Sequence, residues 1–167
     1  MNMKQRYCKV AGFTLVELIV VIAIIGVLAG ILVPSMLGYV KKAQFSAMNT
    51  NAKSLLNAGM MACRQYDVIK PIAEGIYSKK GCQSIGGADF EDDLINSYIY
   101  DYFTDEPSTI WAFRIEEDVV TATCVAASVD SKIIGTYPHS NKTNRSFSDK
   151  ETTFAKALAF GKTGEWE

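Results

Sequence analysis

One carboxylate stands where a carboxylate is costly. Glu17 is the only charged residue among the 21 from Phe13 to Val33, and nearly all the others are Leu, Val, Ile, Ala or Gly. An acid well inside a bilayer-spanning helix costs on the order of 2.5 to 3.5 kcal/mol at the centre, so such groups tend to be paired and functional. The chemistry open to it is charge pairing with a cation brought to the helix. The competing reading is a carboxylate near the membrane surface that snorkels to water, or one satisfied by the N-terminus of its own helix.

The other reactive side chains do not converge. His139 is the sole histidine, follows Pro138 in a polar stretch, and has no Cys or carboxylate at ligand spacing, so no metal site is expected. Asp89, Glu91, Asp92 and Asp93 lack the spacing of a calcium loop and suit the first turn of a helix. With no nucleophile and base pair and no phosphate-binding glycine loop, neither an enzyme nor a cofactor is expected. A net charge of -1 with 21% charged residues points to no nucleic-acid surface. Asn141-Lys142-Thr143 and Asn144-Arg145-Ser146 match a glycosylation triplet that is common by chance, and neither is given a role. Trp166 and the tyrosines could meet a carbohydrate, whereas Trp111, at strand spacing, reads as core.

Of the four cysteines, Cys8 precedes the apolar segment and Cys63, Cys82 and Cys124 follow it. Three thiols allow three single bridges and leave one over, in a part of the chain expected outside the membrane where disulfides persist. The reading leans to Cys82 with Cys124, because Cys63 sits in a helical stretch where it can pack as core. The alternative is three buried, unpaired small hydrophobes.

The elements that must position these groups are legible from periodicity. Residues 13–33 are long enough to span a bilayer, which takes about 20 apolar residues. Lys4, Arg6 and Lys9 precede them with no acid, against Lys41 and Lys42 beyond, which predicts a single pass of the cytoplasmic membrane with a cytoplasmic N-terminus and an exported C-terminal domain. Leu37, Val40, Ala43, Met48, Ala52, Leu55, Gly59, Ala62 and Tyr66 continue at helical steps, so the helix is expected to run on over 34–66, roughly 80 Å in all at about 1.5 Å per residue. Pro34 lies inside it and predicts a kink or local melting, eased by Gly30 and Gly38.

A head over residues 67–167 follows. Lys70-Pro71, Gly75, Gly81, Gly86 and Gly87 read as a long loop. A helix over 89–103 follows, with Asp89 as N-cap and Phe90, Leu94, Ile95, Tyr98, Ile99 and Tyr102 as its stripe, closed by Asp105-Glu106-Pro107. Alternation then predicts strands at about 109–117, 119–128 and 132–137, turning at Glu117-Asp118. A Ser148 and Glu151 capping box predicts a short helix carrying Phe154, Ala157, Leu158 and Phe160 and stopping at Gly161, with a fourth strand as the alternative. The fold class is α+β: a long N-terminal helix packed on a small antiparallel sheet.

Lys9-Val10-Ala11-Gly12 followed by Phe13-Thr14-Leu15-Val16-Glu17-Leu18-Ile19-Val20-Val21-Ile22-Ala23-Ile24-Ile25-Gly26 resembles the signal of type IV pilins and pseudopilins. A basic leader, a Gly before a Phe, the acid at Glu17 and the proline at Pro34 make the pattern specific. The likeness covers about residues 4 to 56, including Tyr39, Lys42, Ala43 and Ala52. It implies a leader, residues 1–12, removed by a prepilin peptidase that cuts between Gly12 and Phe13 and methylates the new Phe13 amine. It further implies that Glu17 aligns an incoming subunit by pairing with the Phe13 amine of a neighbour. The partners implied are other copies of the chain in a homopolymeric filament, the prepilin peptidase/N-methyltransferase, the pilus assembly platform and the membrane. The function implied is that of a structural subunit, major pilin-like, of a cell-surface pilus for adhesion, motility or DNA uptake. The alternative is a pseudopilin or minor pilin of a type II secretion or competence system. Small residues Ala23, Gly26, Ala29 and Gly30 suit close packing between such helices.

Overall fold

Apolar residues at steps of three and four carry one helix, α1, from Leu15 to Asp67 in the computed structural model, which describes residues 12–103 and 108–166. Residues 1–11 and the expected helix stop at Asp105-Glu106-Pro107 lie outside the described residues. The chain divides into two units, one reaching Val40 and one running from Lys41 onward.

In the first unit the helix is apolar on every side. It is long and apolar enough to cross a membrane, and its most apolar stretch is nowhere buried. A helix that is hydrophobic all round belongs in lipid or inside an assembly. Pro34 lies within α1, and the assignment is helical on both sides of it, so the local melting expected there is not seen. The Ser35 hydroxyl donates to the Leu32 carbonyl at 2.9 Å, a side-chain bond to the backbone one turn back.

In the second unit α1 buries a stripe of Phe45, Ala52, Leu55, Gly59, Ala62 and Tyr66. It faces a four-stranded antiparallel sheet in sequence order: β1 Gly75–Ser78, β2 Ile110–Glu116, β3 Val119–Ala126 and β4 Ile134–Tyr137. Tyr77, Trp111, Phe113, Ile115, Val120 and Val125 point to α1 from one face, joined by Ile95 and Ile99 from α2 (Asp93–Tyr102) and by Phe103 just after it. Ala112, Ala122, Cys124, Ala126 and Ile134 on the opposite face are covered by Phe154, Ala157 and Leu158 of α3 (Phe154–Thr163). Burying each large side chain here contributes about 1.5–3 kcal/mol. The β2–β3 register shifts between Arg114 and Ile115, leaving Thr121 as the extra residue. That bulge changes the strand's parity, so Val120 and Thr123 both turn toward α1.

Backbone contact replaces side-chain packing at one point. A methyl on Gly135 would collide with the main chain of Met48 and Asn49, so β4 lies directly on α1. Four hydrogen bonds fix the same place. Thr123 Oγ1 donates to the Ala52 carbonyl at 2.6 Å. Asn49 Oδ1 accepts from the Thr136 N–H at 2.9 Å, and Asn49 Nδ2 donates to the Asn141 carbonyl at 2.9 Å, a fourth bond running from the Asn141 N–H to Asn49 Oδ1 at 3.2 Å.

Several boundaries differ from expectation. The segment read as a long loop contains β1, a strand of only four residues opened by Gly75 at φ 147, too short to show alternation. The N-cap of α2 is Asp92, which accepts from the N–H groups of Leu94 and Ile95, and not Asp89, whose carboxylate accepts from Ile76 N–H at 2.9 Å. The N-cap of α3 is Thr153 and not Ser148, because Thr153 has the extended backbone a cap needs and accepts from Lys156 N–H. Gly164, in the left-handed conformation at φ 83, closes α3; Gly161 is buried inside it. The turn at Glu117-Asp118 is as read, with both residues at positive φ, the twist a two-residue hairpin requires.

Candidate functional site

Gly12, Phe13 and Thr14 precede the first turn of α1 in non-helical backbone, all three exposed. Thr14 and Glu17 then form a reciprocal capping box. The Thr14 N–H and the Thr14 hydroxyl each donate to Glu17 Oε2 at 2.8 Å. In return the Glu17 N–H donates to Thr14 Oγ1 at 3.2 Å. These bonds satisfy donors that every helix start leaves unpaired, so Glu17 closes its own helix end in the isolated chain. Among the described residues Glu17 Oε1 has no hydrogen-bond partner. One carboxylate oxygen is therefore engaged and the other open.

The helix behind it presents exposed Leu, Val and Ile all round, from Leu15 through Val40. Cβ atoms built at Gly26 and Gly30 would meet nothing within 4 Å, so both glycines leave room for a second backbone.

The remaining candidates resolve into structure. Cys63, Cys82 and Cys124 are free thiols, so the bridge expected between Cys82 and Cys124 is not formed. Cys124 is central in β3 beneath α3, and Cys82 packs at the margin of that same layer, while Cys63 lies on α1, across the sheet from both. Burial, then the nearby Asp67 carboxylate, pushes the Cys63 thiol up to about 12. Burial pushes that of Cys124 higher still. His139 Nδ1 lies 3.2 Å from the Gly161 carbonyl and helps seat α3. Among the described residues no group of His, Cys, Asp and Glu could hold a metal. Trp111 is fully buried, and Trp166 stacks on Phe160 with the Arg145 guanidinium 4.5 Å from its ring centroid.

Two asparagines carry more than their sequence suggested. Asn141, fully buried, donates through Nδ2 to the Ile134 and Thr143 carbonyls and accepts from the Thr143 N–H and hydroxyl, so its amide is spent inside the head. Asn49 clamps α1 to β4 as described above. The signal available beforehand was its place on the apolar stripe of α1, where a polar residue needs a partner.

Residues 8–33 match the family described as the prokaryotic N-terminal methylation motif. The chain is also similar to a type IV major pilin protein, PilA, of Myxococcus xanthus (strain DK1622), being 45% identical over 47 residues. That likeness covers 28% of this chain and 21% of the relative, so the chain spans about a fifth of the curated protein it matches. No solved structure matches the chain.

Proposed function

We propose that this chain, which carries the prokaryotic N-terminal methylation motif, is the structural subunit of a type IV pilus. It is made as a precursor, held in the cytoplasmic membrane by residues 13–33 with its N-terminus inside. A prepilin peptidase cuts between Gly12 and Phe13 and methylates the Phe13 amine, and the assembly platform then moves the subunit into a filament of like copies. The role is structural, not catalytic. The observation that carries the reading is the apolar first part of α1, unburied throughout, whose one acid, Glu17, opens it. Such a surface asks for lipid before assembly and for other copies of itself after it.

The capping box refines what Glu17 does. Oε2 holds the first turn of its own helix, and Oε1 is left to accept the Phe13 amine of a neighbouring subunit, so the cap and the pairing coexist. Capping aims the carboxylate, and cleavage supplies the cation. Pro34 sits at the end of the apolar run, where we place the kink that lets the helix leave it.

A pseudopilin or minor pilin of a secretion or competence machine shares the same helix. Shearing separates the two: long fibres composed mainly of this chain support the major pilin.

The decisive experiment is mass and N-terminal analysis of the protein from its native host. The expected mature chain begins at methylated Phe13, and an intact leader on assembled protein would sink the reading. Glu17→Ala and Glu17→Gln complete the test. Glutamine preserves a capping box but not the charge. Both variants should insert and be processed, and both should lose roughly tenfold or more in fibre yield, as expected for a charge-assisted bond worth about 1.5–3 kcal/mol. Normal fibres from Glu17→Gln would show that the cap alone matters.

A further inference from the structure

Two charged surfaces of the head have no neutralising partner among the described residues. The first is a cleft of about 640 Å³ between α1 and the segment after β4. Lys42 and Lys53 enter it from α1 and Lys142 from the other wall, over a floor that includes Phe45 and Tyr137. Lys42 and Lys53 are three turns apart and so share one face of the helix. Among the described residues no carboxylate lines the cleft, and α1 has no acid between Glu17 and Asp67. Among the described residues none of the three lysines is in an ion pair.

The second surface is the β2–β3 hairpin tip. Glu117 and Asp118 are both exposed there, and Glu74 joins them, its Oε1 accepting the Glu117 N–H at 3.0 Å. None of these three carboxylates has a cation within ion-pair distance among the described residues. The adjacent Glu116 differs, being held by Lys162 at 2.6 Å and Arg114 at 3.5 Å. Arg64 lies near Asp118 along the same shallow cleft but forms no ion pair with it.

The two surfaces lie at opposite ends of the helix stretch they share. β3 runs back along α1: Val120 lies over Gly59, Thr123 bonds to Ala52, and Gly135, opposite Val125 on β4, rests on Met48. The tip therefore stands level with the last turns of α1 and the lysine cleft with residues 42–53, roughly 25 Å away at about 1.5 Å per residue.

We infer that the Glu74, Glu117 and Asp118 tip of one copy docks in the Lys42, Lys53 and Lys142 cleft of the next. Three carboxylates meet three ammonium groups, and the cleft's aromatic floor excludes water around them. Between copies whose α1 helices run parallel, as the filament reading requires, patches at opposite ends meet head-to-tail, and such a contact continues as an open array where its rotation does not close a ring. Charge of this kind fixes register and partner more than it adds affinity, and it weakens with salt. The contact rests on the filament reading above and assigns it a register: α1 supplies the association, and the tip and cleft set where each subunit stops.

A charge swap in the full-length chain tests this. Lys53→Glu with Lys142→Glu, and separately Glu117→Lys with Asp118→Lys, should each lower sheared fibre about tenfold while membrane level, Phe13 processing and melting temperature in detergent stay at wild-type values. The four changes together should restore fibre to within about twofold of wild type. Fibre unchanged in either pair, or no recovery in the combination, would overturn the docking. Loss in the lysine pair alone would assign the cleft to some other anion and would equally overturn it. Failure of the filament reading looks different, because the wild-type chain itself would then yield no fibre.

Discussion

At the scale of single residues, Asp92 ties two helices together by charge. Its carboxylate accepts from the N–H groups of Leu94 and Ile95 and from the Tyr66 hydroxyl at 2.8 Å. Burial alone would raise its pKa, but the Tyr66 hydroxyl and the two backbone donors outweigh that, and the carboxyl is held below its ordinary value. For Tyr66 burial comes first and the bond to Asp92 second, and both raise it. A carboxyl depressed by folding lends stability above its unfolded pKa of about 3.9, and that stability is lost as pH falls through the folded value. Asp92→Asn keeps a side-chain acceptor and loses the charge. Thermal melts in detergent should show it about 1 kcal/mol less stable than wild type at pH 7, with the gap closing as pH falls below the unfolded value of about 3.9. A gap that persists at pH 2 would mean that geometry, not charge, sets the cost. Four acids in a row of five made a helix start evident in the sequence. Which one caps it depends on Ile76 claiming Asp89, a contact thirteen residues away in the chain.

At the scale of elements, the meeting of β4 with α1 has no side chain to give way. Gly135→Ala would place a methyl against the Met48 carbonyl and the Asn49 nitrogen, so β4 must lift from the helix and strain the Asn49 clamp. We expect a loss of about 3 kcal/mol, the upper end for overpacking, and a melting temperature lower by roughly 10 °C. Gly38→Ala, in open space, should leave the head's melt unchanged. If the Gly135 variant melts with wild type, the backbone contact is not what seats β4. Elements with strong periods could be read beforehand: α1 from its three-and-four spacing, β2 and β3 from alternation around Trp111, Phe113 and Cys124. What escaped depends on pairing across the fold. β1 is a strand only because Tyr77 lies opposite Phe113 and bridges to Phe90. Ser148 and Glu151 mimic a cap at the wrong place because Ser146 and Val129 hold Ser148 in a turn. The capping role of Glu17 was legible as the alternative to pairing, and Thr14, three residues earlier, was its signal.

At the scale of the whole head, the sheet separates the thiols into two layers. Cys63 belongs to the α1 side, Cys124 and Cys82 to the α3 side. In the folded protein at pH 8 an alkylating reagent should modify Cys82 first. With its thiol pushed up to about 12, Cys63 should react roughly a thousandfold more slowly than an ordinary thiol near 8.5. After denaturation without reductant, Cys63, Cys82 and Cys124 should all label, by mass. A shortfall of two would reveal a bridge, and among the described residues only the α3 layer holds a pair. The bonds that Asn49 and Ala52 of the helix make with Thr136, Asn141 and Thr123 have a mechanical consequence. They lie within one turn of α1, so a pull along the helix axis loads them together in shear, and none can be peeled ahead of the others. Under tension the head should hold its helix stiffly up to a threshold and then release it in one step, without gradual creep.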